Sequence, residues 1–182
     1  MRKLKNEELN RISIDEFHDA EKKPLIIVLD NVRSLNNIGS VFRTADAFRL
    51  ESVYLCGITA TPPHRDINKT ALGATDSMDW KYFKTTMEAV QELKNKEYIL
   101  IAIEQTESGI MLDRFIPEKG RKYALIFGNE VRGVDQHVVN HCELAIEIPQ
   151  FGTKHSFNIS VSVGIVLWDF FQKSWNKKSG SY

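Results

Sequence analysis

The sequence has no apolar run long enough to span a bilayer, and its first residues, MRKLKNEELNRISIDEF, are charged where a secretion signal would be apolar. A cytoplasmic protein is expected. Two cysteines, Cys56 and Cys142, are too few for a disulfide framework and fit a reducing compartment. Neither charge sign is in excess: 24 Lys and Arg meet 24 Asp and Glu. Such a chain does not coat nucleic acid non-specifically, so RNA binding would need a local patch. Arg33, Arg43, Arg49, Arg65 and Lys69 are its candidates. Neither GxGxxG nor GxxxxGK[ST] occurs, which argues against a dinucleotide site and a P-loop. No G-x-S-x-G elbow surrounds Ser156, which argues against a hydrolase nucleophile. His137, His141 and Cys142 are close in sequence but lack a third ligand at a customary spacing, so no metal is expected.

What is present suits one domain: 182 residues, 42% of them apolar. Ser13 and Glu16 form a capping-box pattern and predict a short helix from Ile14 toward Lys22, before Pro24. Leu25–Leu29 is a continuous β-branched run, as in a strand buried on both faces. Ile38, Val41, Phe42, Ala45 and Phe48 mark an amphipathic helix, and Ser52–Leu55 a second strand. Residues 58–80, with Pro62-Pro63 and Gly73, read as a long loop. A helix over Thr86–Asn95 and a strand over Tyr98–Ile103 follow. A Gly109 loop, a strand Tyr123–Phe127, a turn Gly128–Gly133, a short helix after Asp135 and a strand Ala145–Ile148 complete the alternation.

The expected fold is α/β: a mostly parallel sheet with helices on both faces and ligands at the carboxyl ends of the strands. Three turns there carry unusual polar residues: Asp30 to Arg43, Gly128 to Gly133, and Pro149 to Asn158. The last leads into SFNISVSVGIVLWDFF, which alternates like a strand over Phe157–Val163 yet also places Phe157, Val161, Ile165 and Trp168 on one helix face. Apolar residues around nearly the whole circumference favour a helix buried on most sides, with Ser156 as its N-cap and Asn158 in its first turn.

Together the three turns resemble the three motifs of the SPOUT superfamily, specifically its TrmH (SpoU) family of RNA ribose 2′-O-methyltransferases. The first motif matches Asn37-Ile38-Gly39-Ser40-Val41-Phe42-Arg43 and runs on to Phe48. The second matches Ile126-Phe127-Gly128-Asn129-Glu130-Val131-Arg132-Gly133-Val134, and the third Ile148-Pro149-Gln150-Phe151-Gly152 followed by Ser156-Phe157-Asn158-Ile159-Ser160-Val161-Ser162. Departures are small: Gln150 stands where the family often has Met, Phe157 where it often has Leu, and Arg49 where Gly is usual.

The resemblance implies a C-terminal trefoil (α/β) knot threaded by the last helix, S-adenosylmethionine as cofactor, and a homodimer with the active site at its interface. It implies a methyltransferase domain over residues 25–172, a short helical extension over 1–24 and a polar tail over 173–182. It assigns cofactor binding to Ile103, Glu104, Gln105, Gly128, Asn129, Ile148, Gln150, Ser156 and Phe157, and catalytic roles to Arg43, Asn37, Glu130, Ser156 and Asn158. Arg33, Arg43, Arg65 and Lys69 would contact RNA. The implied reaction is methylation of a ribose 2′-OH in tRNA or rRNA. A base methyltransferase and a catalytically silent RNA-binding module of the same fold are the alternatives.

Overall fold

In a computed structural model, residues 1–175 are described. A 3-10 turn at Asn6–Leu9 leads to α1 (Ile14–Asp19), where Ser13 Oγ accepts from Glu16 N at 3.2 Å. The elements that follow are β1 (Lys23–Asp30), α2 (Leu35–Ala47), β2 (Leu50–Cys56), α3 (Arg65–Ala71), α4 (Ala74–Ser77), β3 (Trp80–Phe83) and α5 (Thr86–Asn95). Then come β4 (Tyr98–Ile103), β5 (Ile110–Met111), β6 (Lys122–Phe127), α6 (Gln136–Val139), β7 (Leu144–Glu147) and α7 (Ile159–Phe170).

The seven strands form one sheet in the order β3-β2-β1-β6-β4-β7-β5, and every pairing is parallel. The chain winds outward from β1 through β2 to β3, then crosses over, and β6 inserts between β1 and β4. This reversal gathers the loops after β1, β4, β6 and β7 at one end, where open α/β sheets bind ligands.

Alternation along β1 builds a core on each face. Leu25, Ile27 and Leu29 join Ile38, Val41 and Phe42 of α2, Ile67 of α3 and Val163, Val166 and Phe170 of α7. Ile26 and Val28 join Ala89, Val90 and Leu93 of α5 and Val138 of α6. Helices on both faces are therefore as expected.

Several expectations change. Residues 58–80 are not a long loop, because α3, α4 and the start of β3 lie within them. Only Ile67 and Ala71 of α3 are buried, too few to show a period, and β3 is an edge strand with Phe83 alone buried. The first helix stops at Asp19, and Pro24 lies inside β1, at a register shift between Lys23 and Ile26 where no ladder donor is required of it. Arg49, at the position where the family has Gly, adopts φ +55°.

The last segment is a helix, but its N-cap is Asn158 rather than Ser156. Asn158 Oδ1 accepts from Ser160 N at 2.9 Å, which leaves Ser156 in the preceding loop. Nor is the helix covered on most sides within one chain: Val161 and Trp168 are exposed and Ile165 is half-buried. A π-helical turn, Phe171–Trp175, closes the described chain; most of the expected polar tail, 176–182, lies outside the described residues.

Candidate active site

The α2 N-terminus organises one side of the site. Ser34 is its N-cap, accepting from Asn37 N at 3.3 Å. Glu130, from the loop after β6, reaches this helix end: its carboxylate accepts from Ser34 N at 2.9 Å and Arg33 N at 3.1 Å. Partial burial pushes the Glu130 carboxyl up, but the backbone N–H groups of Ser34, of Glu130 itself and of Arg33, with the Asn37 amide, outweigh it and hold the group below its ordinary value. A negative charge also suits a helix N-terminus.

The ionised carboxylate only accepts, and this fixes the direction of the chain of bonds that follows. Asn37 turns its amide toward Glu130 Oε1, 3.5 Å away, and so presents Oδ1 to Asn158 Nδ2 at 3.1 Å. Asn158 in turn presents Oδ1 to Ser160 N and to Ser160 Oγ at 2.7 Å. One residue from each of the three motif turns is thereby held in a single network at the start of α7.

Beside it lies a cleft of about 720 Å³, within the range of about 300–1,000 Å³ usual for small-molecule sites. All nine residues expected to hold cofactor line it: Ile103 at the end of β4 with Glu104 and Gln105 after it, Gly128 and Asn129 after β6, and Ile148, Gln150, Ser156 and Phe157 after β7. Glu130 and Asn158 line it too. The loops hold each other in place. Asn129 Oδ1 accepts from Val131 N at 3.0 Å and Arg132 N at 3.2 Å, while its Nδ2 donates to Asn31 O at 2.8 Å. Glu104 Oε2 accepts from Val134 N at 3.0 Å, tying the β4 and β6 loops, and Gln105 Nε2 donates to His155 O at 3.1 Å, tying β4 to β7. A Cβ at Gly128 would lie 2.0 Å from Val134 N, so only glycine lets the turn fold back this tightly.

Sequence reasoning missed Thr106, which also lines the cleft. Its Oγ1 is buried and has no hydrogen-bond partner among the described residues. A buried hydroxyl left unpaired is costly, and a polar ligand in the cleft would satisfy it. Its only sequence signal was its place one residue after the expected cofactor segment. The cleft's size, its polar loop lining and this hydroxyl fit a compact polar cofactor such as S-adenosylmethionine.

Arg43 stands apart. It is exposed on α2, does not line the cleft, and makes no hydrogen bond or ion pair among the described residues. At 100° and 1.5 Å per residue it sits about 120° around the helix from Asn37 and about 9 Å further along. Arg33 offers its backbone N–H to Glu130 and exposes its side chain. Arg65 and Lys69 are exposed at i, i+4 on α3, which packs against α2. His137 and His141 hold each other, with His141 Nδ1 2.8 Å from His137 O.

An all-parallel sheet with this cleft at its carboxyl end defines an α/β fold shared with RNA methyltransferases of known structure. The A. aeolicus TrmH/SpoU tRNA modifying enzyme superposes with a TM-score of 0.76 at 22% identity, covering 88% of this chain and 81% of that one. The AdoMet-bound rRNA methyltransferase of Sinorhizobium meliloti does so at 0.77 and 23% identity, covering 86% and 59%. The chain belongs to the SpoU rRNA Methylase family, whose profile matches residues 24–168. Among curated relatives, the 23S rRNA (guanosine-2′-O-)-methyltransferase RlmB of Neisseria meningitidis is 28% identical over 153 residues, 84% of this chain. That of Haemophilus ducreyi is 26% identical over 174 residues, covering 96% of this chain and 70% of the relative. The chain spans 60% of the length of the Neisseria protein.

Proposed function

We propose that this chain is an S-adenosylmethionine-dependent methyltransferase acting on a ribose 2′-OH of tRNA or rRNA. The observation that carries the reading is the bonded series Glu130–Asn37–Asn158, standing at the mouth of a cleft lined by every expected cofactor residue. Family membership and the 2′-O-methyltransferase names of the RlmB relatives support it. An RNA substrate and two unpaired thiols suit a cytoplasmic location. Among the described residues no helix is long and apolar enough to cross a membrane.

Bound S-adenosylmethionine supplies a methyl group already activated on a sulfonium. The protein's work is then to orient a weak alcohol nucleophile, and orientation of two reactants can be worth about 7–11 kcal/mol. Glu130 and Asn158 fix Asn37, whose amide can hold no other geometry without placing oxygen against carboxylate. Asn37 thus keeps the α2 end, and with it the ribose, in register with the cleft. Ser156 and Phe157 wall the cleft on the β7 side.

Arg43 is a poor general base, because deprotonating a guanidinium at pH 7 costs about 7 kcal/mol. Its role is to clamp an RNA phosphate and stabilise charge developing on the 2′-oxygen, with the phosphate taking the proton. Because Arg43 lies off the cleft in its own chain, it acts on the cleft of a second copy. The uncovered apolar face of α7, with Val161, Ile165 and Trp168, is the surface on which that homodimer closes. The trefoil knot, with α7 passing through a loop made by the preceding turns, belongs to the same proposal. Arg33, Arg65 and Lys69 extend the phosphate-binding surface.

Mapping of 2′-O-methyl marks in cells with and without the protein tests the function. Loss of one or more marks is expected; an unchanged map would remove ribose methylation as its native role.

A further inference from the structure

The loop between β7 and α7 carries a side chain that neither folding nor cofactor binding uses. Phe151 is 98% exposed, and among the described residues it makes no ring contact or cation–π contact. It follows Gln150, which lines the cleft, and precedes Gly152, around which a Cβ would meet nothing within 4 Å. Far from drifting, the loop is pinned where Gln105 Nε2 donates to His155 O. Exposed Val131 on the β6 loop and partly exposed Phe157 line the cleft that Gln150 also lines, so two exposed apolar side chains belong to the cleft whose lining Phe151 adjoins in sequence. Residues 148–159 contain Lys154 and His155 and no acidic residue.

We infer that Phe151 is a stacking platform for a nucleobase of the RNA substrate, placed beside the ribose that enters the cleft. An aromatic face on a loop that carries Lys154 and no carboxylate is a combination that holds an unpaired nucleotide: the ring takes the base and the lysine takes the backbone. A protein partner would more often be met by a wider contiguous apolar patch than one ring. The inference rests on the proposed RNA methyltransferase function. It adds a residue that selects an unpaired base, and therefore a target in a loop or bulge.

The test uses the full chain, unmodified tRNA and rRNA transcripts, and Phe151→Ala and Phe151→Trp variants. Phe151→Ala is expected to raise KM for RNA by about tenfold or more. Its kcat should stay within about twofold of wild type, with affinity for S-adenosylmethionine and molecular mass in solution unchanged. Phe151→Trp should restore wild-type KM or better. Unchanged KM in Phe151→Ala would overturn the inference. So would a change of mass, which would place Phe151 between copies, or an equal loss of cofactor affinity, which would place it in the cofactor site. If the wild-type chain itself methylates neither transcript pool, the functional reading fails and the stacking role with it. An active wild type with an indifferent Phe151→Ala removes the stacking role alone.

Discussion

Asn158 Nδ2 donates to Asn37 Oδ1 at 3.1 Å, joining positions 121 residues apart. The same Asn158 caps α7 through its other amide atom, so the start of the last helix is locked to the start of α2. Glu130 fixes the direction of this bond from the far side of Asn37.

Substitutions at Asn158 separate the cap from the network. Asn158→Asp keeps an oxygen for Ser160 N but sets a carboxylate against Asn37 Oδ1. It is expected to unfold close to wild type in a thermal melt yet lose methyl transfer by at least about tenfold. Asn158→Ala loses both, with a stability cost of about 1 kcal/mol. Equal activity of Asn158→Asp and wild type would show that the bond does not matter to the reaction.

Thr106→Val removes a hydroxyl that has no partner among the described residues. Stability is therefore expected to hold or rise, because an unpaired buried polar atom is replaced by a methyl of the same shape. Affinity for S-adenosylmethionine, read by titration calorimetry, should fall by about five- to tenfold, which is one neutral hydrogen bond. Unaltered affinity would take Thr106 out of the cofactor site.

The outer surface has its own pH response. The hydrogen bond from Lys81 draws the Glu92 carboxyl down to about 2 against the opposing effect of burial, aided by Lys96 and Tyr54. A folded value below the unfolded one means stability that is present above about pH 4.5 and lost as the pH falls toward about 2. Both lysines are about half exposed, so solvent screening limits the effect to about 1 kcal/mol. Glu92→Gln should melt lower than wild type at pH 7, and the two should converge near pH 2. A gap that persists in acid would point to packing rather than charge.

The uncovered face of α7 can be tested at Trp168. Trp168→Glu puts a charge on this apolar face without touching the cleft, and is expected to convert a dimer to a monomer in analytical ultracentrifugation. Methyl transfer should be lost with it while cofactor binding persists, since in the proposed dimer Arg43 of one copy serves the other. A monomeric wild type would contradict this arrangement.

Much of the sheet was legible in the sequence. Leu25–Leu29 and Tyr123–Phe127 are buried on both faces and read as continuous apolar runs. Residues 58–80 were not legible, because α3 and α4 hide few side chains and β3 lies at an edge. For SFNISVSV, hydrophobic period could not separate strand from helix; the capping bonds of Asn158 show where the helix begins. The residues expected to hold cofactor came from the family resemblance, most of them within its motifs, and all nine line one cleft. Thr106 was not, since its significance is an unpaired oxygen, which only packing reveals. Arg43 matched by position, but a motif does not show that its side chain stands outside the cleft lining, about 120° around the helix from Asn37.

The most direct measurement is nucleoside mass spectrometry after incubating purified chain with RNA transcripts and S-adenosylmethionine carrying a CD3 methyl group. A labelled 2′-O-methylnucleoside with the wild type, and its loss with Arg43→Ala despite intact cofactor binding, is the expected result. Label on a base, no label at all, or near wild-type transfer by Arg43→Ala would contradict ribose methylation assisted by an arginine clamp.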